Sequence, residues 1–178
     1  MQRVRQGLIG WLLSVLLVSA HAGTPRDPGE YFFDQSLGDF SEELELAKED
    51  GKKAILIMFE MDECPFCHRM KQTVLNQPEV QDYFKEHFMI FSVDIEGNVE
   101  MIDFKGNTVT QKDFAFKGNR VRATPVFAFY DLKGDPIKRA RFTGASNGPQ
   151  EFMWLGEYVA NGVYNSMSFT RYKRGKAK

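Results

Sequence analysis

Residues 53–68 read KAILIMFEMDECPFCH, and the architecture of the chain follows from the change of pattern inside this stretch. From Lys53 to Met61 the run is apolar and of strand length, as expected for a central strand covered on both faces. From Cys64 the periodicity becomes helical, with Met70, Val74 and Leu75 on the inward side. A buried strand that gives way to a helix places Cys64 at the helix N-terminus. Unpaired backbone N–H groups and the helix dipole there favour a thiolate, and Cys-x-x-Cys thiols fall from ~8.5 into a range of roughly 3.5–7.5. Cys67 lies one turn on, expected to be turned inward and less exposed. Cys64 is therefore the candidate attacking thiolate and Cys67 the candidate resolving thiol of an exchange through a mixed disulfide. Pro65 stiffens the first turn, where its missing N–H costs little. Phe66 adds an apolar collar, and with Met61 it can help form a docking surface for substrate. Neighbouring charges oppose one another: Glu60, Asp62 and Glu63 disfavour a thiolate, while His68, Arg69 and Lys71 favour it.

On either side the chain alternates between helix and strand signals. Ser41 reads as the N-cap of a helix whose first turn holds Glu42 and Glu43, and Gly51 ends it. Pro78 opens a helix with Val80, Tyr83 and Phe84 on one face, and Phe88 to Ile95 is a second apolar strand. Residues 97–119 read as a small insertion, with two short strands around Gly106-Asn107. Val126 to Tyr130 is a third strand, Pro136 to Phe142 an edge-like fourth, and Pro149 starts a helix presenting Phe152, Leu155 and Val159. Parallel strands joined by helical crossovers, then a hairpin and a covering helix, predict an α/β fold, a three-layer α/β/α sandwich around a mixed sheet.

Residues 1–22 read as a cleavable secretory signal peptide: Arg3 and Arg5, an apolar stretch of about a dozen residues, and the small pair Ala20 and Ala22. The expected compartment is an oxidising one such as a bacterial periplasm, where a cysteine pair can stand as a disulfide. Residues 23–40 form an N-terminal extension that begins with a turn-rich lead-in, and residues 165–178 a basic C-terminal tail expected to be solvated. The 178 residues carry a formal net charge of −1, which lacks the excess of Lys and Arg that nucleic-acid binding uses. Two cysteines are too few for a secreted disulfide scaffold and match the number that a dithiol catalyst needs.

The strand Ala54 to Phe59, the Cys64-Pro65-Phe66-Cys67 motif and the run Val121-Arg122-Ala123-Thr124-Pro125-Val126-Phe127 together resemble the thioredoxin superfamily. The similarity is greatest to secreted thioredoxin-like proteins of the SoxW type, and with Phe142-Thr143-Gly144 and the final helix it covers residues 41–164. It implies a thioredoxin fold in which Pro125 is a cis proline opposite the cysteines and the backbone of Thr124 pairs with an incoming substrate strand. It further implies a monomeric periplasmic thiol:disulfide oxidoreductase acting on protein thiols and disulfides as a reductant. A membrane donor of the DsbD or CcdA kind would supply electrons, with no cofactor beyond the Cys64–Cys67 disulfide and no metal. Where thioredoxins carry a buried Asp on this strand and a Trp before the first Cys, this chain has Met58 and Glu63.

Three other readings fit parts of the pattern. Cys64, Cys67 and His68 satisfy the attachment motif of a c-type haem, which would take His68 and a distant Met101 or Met153 as axial ligands. A zinc site would need two ligands beyond the cysteines, and outside the signal-like segment only His68 and His87 are available as histidines. A thioredoxin-fold binding protein with a non-catalytic disulfide is the third. Asp94 and Glu96 are candidate acid–base groups, though no spacing argument places them at the sulfur.

Overall fold

The computed structural model describes residues 23–177, so the signal-like segment at 1–22 lies outside the described residues. In chain order the elements are α1 (Pro28–Tyr31), α2 (Phe40–Glu49), β1 (Ala54–Glu60), α3 (Pro65–Thr73), α4 (Pro78–His87) and β2 (Phe88–Asp94). The hairpin β3 (Glu100–Ile102) and β4 (Thr108–Thr110) follows, then α5 (Gln111–Asp113), which runs into a π-helical turn at Phe114–Gly118. β5 (Val126–Tyr130), β6 (Phe142–Thr143), α6 (Pro149–Ala160) and α7 (Phe169–Lys176) complete the described chain.

The main sheet has the order β2-β1-β5-β6, with β1 parallel to β2 and antiparallel to β5. β1 is covered on both faces because its alternate residues serve two cores. Leu56 and Met58 join the cluster of Cys67, Phe84, Phe127 and Phe152 beneath α3, α4 and α6. Ile55, Ile57 and Phe59 join Phe40, Leu44, Phe114 and Val126 beneath α2 and the π-helical turn. Two helical layers around a mixed sheet make the α/β/α sandwich of a thioredoxin fold. The β3–β4 hairpin forms around Gly106, whose φ of +79° a side chain would disfavour.

Two boundaries differ from the sequence reading, both for local reasons. The N-cap of α2 is Asp39 rather than Ser41: its carboxylate accepts the N–H groups of Ser41 at 2.8 Å and Glu42 at 3.1 Å. These contacts, led by that from the Ser41 hydroxyl, hold the Asp39 carboxyl below its ordinary pKa. The stretch from Pro136 is not a continuous strand. Pro136 makes one isolated bridge to Tyr130, and Ile137 and Ala140 are both buried three residues apart, a helical spacing met by a 3-10 turn at Lys138–Ala140.

The turn-rich lead-in is fixed to the body. Arg26 donates to Gln81 Oε1 at 2.7 Å and to the Pro78 carbonyl at 3.0 Å, and pairs with Asp82. Phe32 is fully buried against Phe84 and Phe152, and Asp34 exchanges 2.7 Å hydrogen bonds with the backbone of Ile90 on the edge of β2. The basic tail, expected to be solvated, forms α7 instead. Phe169 packs on Tyr158, Lys176 pairs with Glu157 at 2.6 Å and Lys173 with Glu151. Burial raises the Glu151 carboxyl, but the Lys173 ammonium and the Asn147 N–H outweigh it and hold the group below its usual range.

Candidate active site

The site is built where β1 ends. Beyond Glu60 a three-residue loop leads to Cys64, which is the N-cap of α3 with an extended backbone (φ −121°, ψ 97°), and Pro65 takes the first helical position. The Cys64 sulfur thereby plays the part that a Ser or Asp oxygen plays in an ordinary cap: Sγ accepts the Cys67 N–H at 3.0 Å. Cys64 and Cys67 are joined in a disulfide, with their Cα atoms 5.2 Å apart.

Across the gap stands the start of β5. The Thr124–Pro125 peptide is cis, and the Thr124 hydroxyl donates to Cys64 Sγ at 3.2 Å. The Pro125 carbonyl accepts the Gly144 N–H at 2.8 Å, which fixes this turn to the chain just after β6. Cys64 was expected to be more exposed than Cys67, but the two are 2% and 1% exposed. Thr124 accounts for the difference, because its side chain lies on the sulfur that the helix terminus would otherwise present to solvent. Beside this covered pair Pro65 is exposed and Phe66 is 55% exposed, so the head of the helix carries an apolar edge next to the disulfide.

The neighbouring charges are engaged with partners. Lys71 Nζ lies 2.7 Å from Glu60 Oε2, and the Ser92 hydroxyl donates to the same carboxylate. His68 Nε2 donates to the Asp62 carbonyl at 2.9 Å, which ties the loop before Cys64 to the first turn of α3. Met58 is fully buried in the core that holds Cys67. Asp94 lines a cleft with Cys67, whereas Glu96 is exposed and is not part of that cleft. Of the other groups weighed in the sequence, Met101 packs on the opposite face of the sheet from Cys67, and His87 stacks on Tyr83 with its Nδ1 on the Tyr83 carbonyl.

Sequence reasoning placed Cys64, Pro65, Phe66 and Cys67 together because they are contiguous, but it missed two contacts. The Thr124 hydroxyl on the sulfur and the Glu60, Lys71 and Ser92 group each join residues from separate elements. The one available signal was weak: a carboxylate at the end of an otherwise apolar strand.

A cysteine pair at the head of a helix, faced by a cis-proline turn on a mixed sheet, defines a thioredoxin-type dithiol/disulfide site. The Thioredoxin-like domain family matches residues 40–160, and the chain belongs to it. A stretch of 110 residues is 24% identical to the thiol:disulfide interchange protein DsbD of Vibrio vulnificus, covering 62% of this chain and 16% of that much longer protein. Among solved structures, a thioredoxin-fold protein from Helicobacter pylori superposes with a TM-score of 0.59 at 24% identity, over 71% of this chain and 86% of that one. The oxidoreductase DsbH superposes with a TM-score of 0.55 at 21% identity, over 79% and 93%. These two likenesses bear on the fold.

Proposed function

We propose that this protein is an exported thiol:disulfide oxidoreductase that reduces disulfides of protein substrates, with Cys64 attacking and Cys67 resolving. The observation that carries this reading is the double donation to Cys64 Sγ, from the Cys67 N–H at 3.0 Å and the Thr124 hydroxyl at 3.2 Å. Donors already aimed at a sulfur stabilise it when it becomes a thiolate, since hydrogen bonds to a charged acceptor are about twice as strong as neutral ones. In the reduced protein the Cys64 thiolate attacks a substrate disulfide, and one substrate sulfur leaves with the electron pair. Cys67 then attacks Cys64 Sγ, the internal disulfide closes and the second substrate sulfur is released, so two electrons pass to the substrate. Pro65 and Phe66 supply the apolar edge on which substrate rests, and the backbone at Thr124 and Pro125 holds its strand. The signal-like N-terminus supports a periplasmic setting, and among the described residues no helix is long and apolar enough to cross a membrane. The match to DsbD supports thiol–disulfide exchange as the chemistry, and a donor of the DsbD or CcdA kind is the proposed electron source.

The test is trapping. Reduced Cys67→Ala protein mixed with a disulfide-bonded protein such as insulin is expected to accumulate a covalent adduct on a non-reducing gel that dithiothreitol dissolves. If Cys67→Ala with an intact Cys64 forms no adduct, the proposal of a protein substrate is wrong.

Thr124 gives a second prediction. Its hydroxyl favours the thiolate over the disulfide sulfur, so Thr124→Val should lose about 1 kcal/mol of stabilisation of the reduced form. That amount lowers the potential by ~20 mV, readable as a roughly fivefold shift toward disulfide in a glutathione titration. An unchanged equilibrium would mean that the hydroxyl has no preference between the two states. In the same titration a reductant should lie nearer thioredoxin, about −270 mV, than DsbA, about −120 mV.

A further inference from the structure

We propose that the cleft between residues 118–120 and 136–141 docks an acidic segment of the protein substrate, so that disulfides flanked by Asp or Glu are preferred; the inference rests on the dithiol reading above and adds a substrate class to it. The cleft has a volume of about 480 Å³. Arg120 stands on one side, Lys138 and Arg141 stand on the other, and Ala128, Phe129 and Ile137 lie between them. Among the described residues no carboxylate lines it. All three cations are exposed, and none is within ion-pair distance of an Asp or Glu among the described residues. Lys117, just before this turn, is by contrast paired with Asp113 at 2.8 Å. The whole chain carries a formal net charge of −1, so the unmatched positive charge is a local feature.

The cleft exists because β6 is short. β6 pairs with β5 only at Val126 and Phe127, and the chain before it forms the 3-10 turn at Lys138–Ala140, so Ala128 has a cleft beside it where a longer strand would lie. Arg141 reaches across, with Nη1 donating to the Asn119 carbonyl at 3.1 Å. Arg120 follows with a left-handed backbone (φ +52°), and the next N–H, that of Val121, is held by the Ala115 carbonyl at 3.0 Å. A guanidinium carries five donors, so Arg141 keeps most of its own for a carboxylate, which it can grip bidentately.

The same cleft is continuous with the turn that faces Cys64. Ala128 is four positions from Thr124, at most about 13 Å at ~3.3 Å per extended residue. Arg122 is exposed in the stretch that joins Arg120 to Thr124, its guanidinium 5.2 Å from the centroid of the Phe116 ring. An extended substrate segment whose cysteine meets Cys64 therefore lays residues roughly three to five positions away onto the cleft. Before Cys64 the charge is of the other sign, since Asp62 and Glu63 are exposed there. Like charges repel an acidic segment from that side and direct it to the arginines.

The test compares peptides that differ only in charge. Reduced protein is mixed with the disulfide dimer of a cysteine peptide carrying Glu, Gln or Lys roughly three to five positions from the cysteine on both sides, and released peptide thiol is followed by chromatography after acid quenching. Dividing by the rates of dithiothreitol on the same peptides removes the effect of those side chains on the disulfide itself. Wild-type protein should reduce the Glu peptide about tenfold faster than the Gln peptide in kcat/KM at low salt, with the Lys peptide slowest, and the preference should shrink in ~1 M sodium chloride, where charges are screened within about 3 Å. The combined variant Arg120→Asn, Lys138→Gln, Arg141→Gln should lose most of the preference; Asn is used at 120 because it tolerates a left-handed backbone. A control of equal charge, Lys53→Gln, Lys105→Gln, Lys112→Gln, should keep it. Equal rates on the Glu and Gln peptides in wild type, or a preference that survives in the arginine-cleft variant, would overturn the docking site and leave the dithiol reading standing. Reduction of none of the peptides would overturn the dithiol reading and this one with it.

Discussion

Cys64→Ala is expected to abolish disulfide reduction, with a loss of at least about 10³-fold in insulin reduction driven by dithiothreitol. The size follows from what would have to replace the missing sulfur. Cys67 is 1% exposed, lies one turn into α3 and, among the described residues, has no donor equivalent to the Thr124 hydroxyl, which is aimed at Cys64. Pro65 and Phe66 are exposed at the head of the helix on the Cys64 side, which is where the proposed function has an incoming disulfide dock. Activity above about one tenth of wild type in Cys64→Ala would mean that Cys67 can attack directly and that the order of the two thiols is reversed. The variant removes the Sγ acceptor that caps the Cys67 N–H but keeps Pro65 at the first helical position, and circular dichroism should show that the fold is retained.

Phe152→Ala should give the largest loss of stability, about 3–5 kcal/mol. Phe152 is 0% exposed on α6, with its ring stacked on Phe84 of α4 at 4.6 Å between centroids and edge-on to Phe127 of β5 at 4.8 Å. Phe32 of the N-terminal segment closes the group at 6.3 Å. Truncation removes contacts to three parts of the fold at once and leaves a void that close-packed neighbours fill only in part. For a domain of this size the loss corresponds to a fall in melting temperature of ~10 °C, measurable by circular dichroism or calorimetry. A fall of less than about 3 °C would show that the aromatic cluster relaxes around the gap.

The parts of the molecule legible in the sequence are those whose signal is contiguous. The apolar run from Lys53 marked a strand buried on both faces, and β1 serves both cores. The two cysteines one turn apart at the junction marked the site, and the Gly106-Asn107 pair marked a hairpin that forms. The misread parts depend on partners that no local pattern names. Arg26 finds Gln81 and Asp82, Asp34 finds the edge of β2, and the lysines of α7 find Glu151 and Glu157 on α6. Read alone, a turn-rich lead-in and a basic tail look solvated, because their stabilising contacts exist only once the chain has brought distant residues together.

The candidate site divides along the same line. Residues 64–67 by themselves determine that the two sulfurs come within disulfide distance and that the first sits among the donors of a helix terminus, because backbone geometry over one turn sets both. Two further matters required the folded chain: that the Cys64 sulfur lies under the hydroxyl of Thr124, and that the cleft at Cys67 ends on a carboxylate held by Lys71 and Ser92. Hydrogen bonds act over about 3 Å, and the pairing of β1 with β2 and β5, together with the return of α3 along β1, brings side chains separated by 11 to 60 positions within that distance.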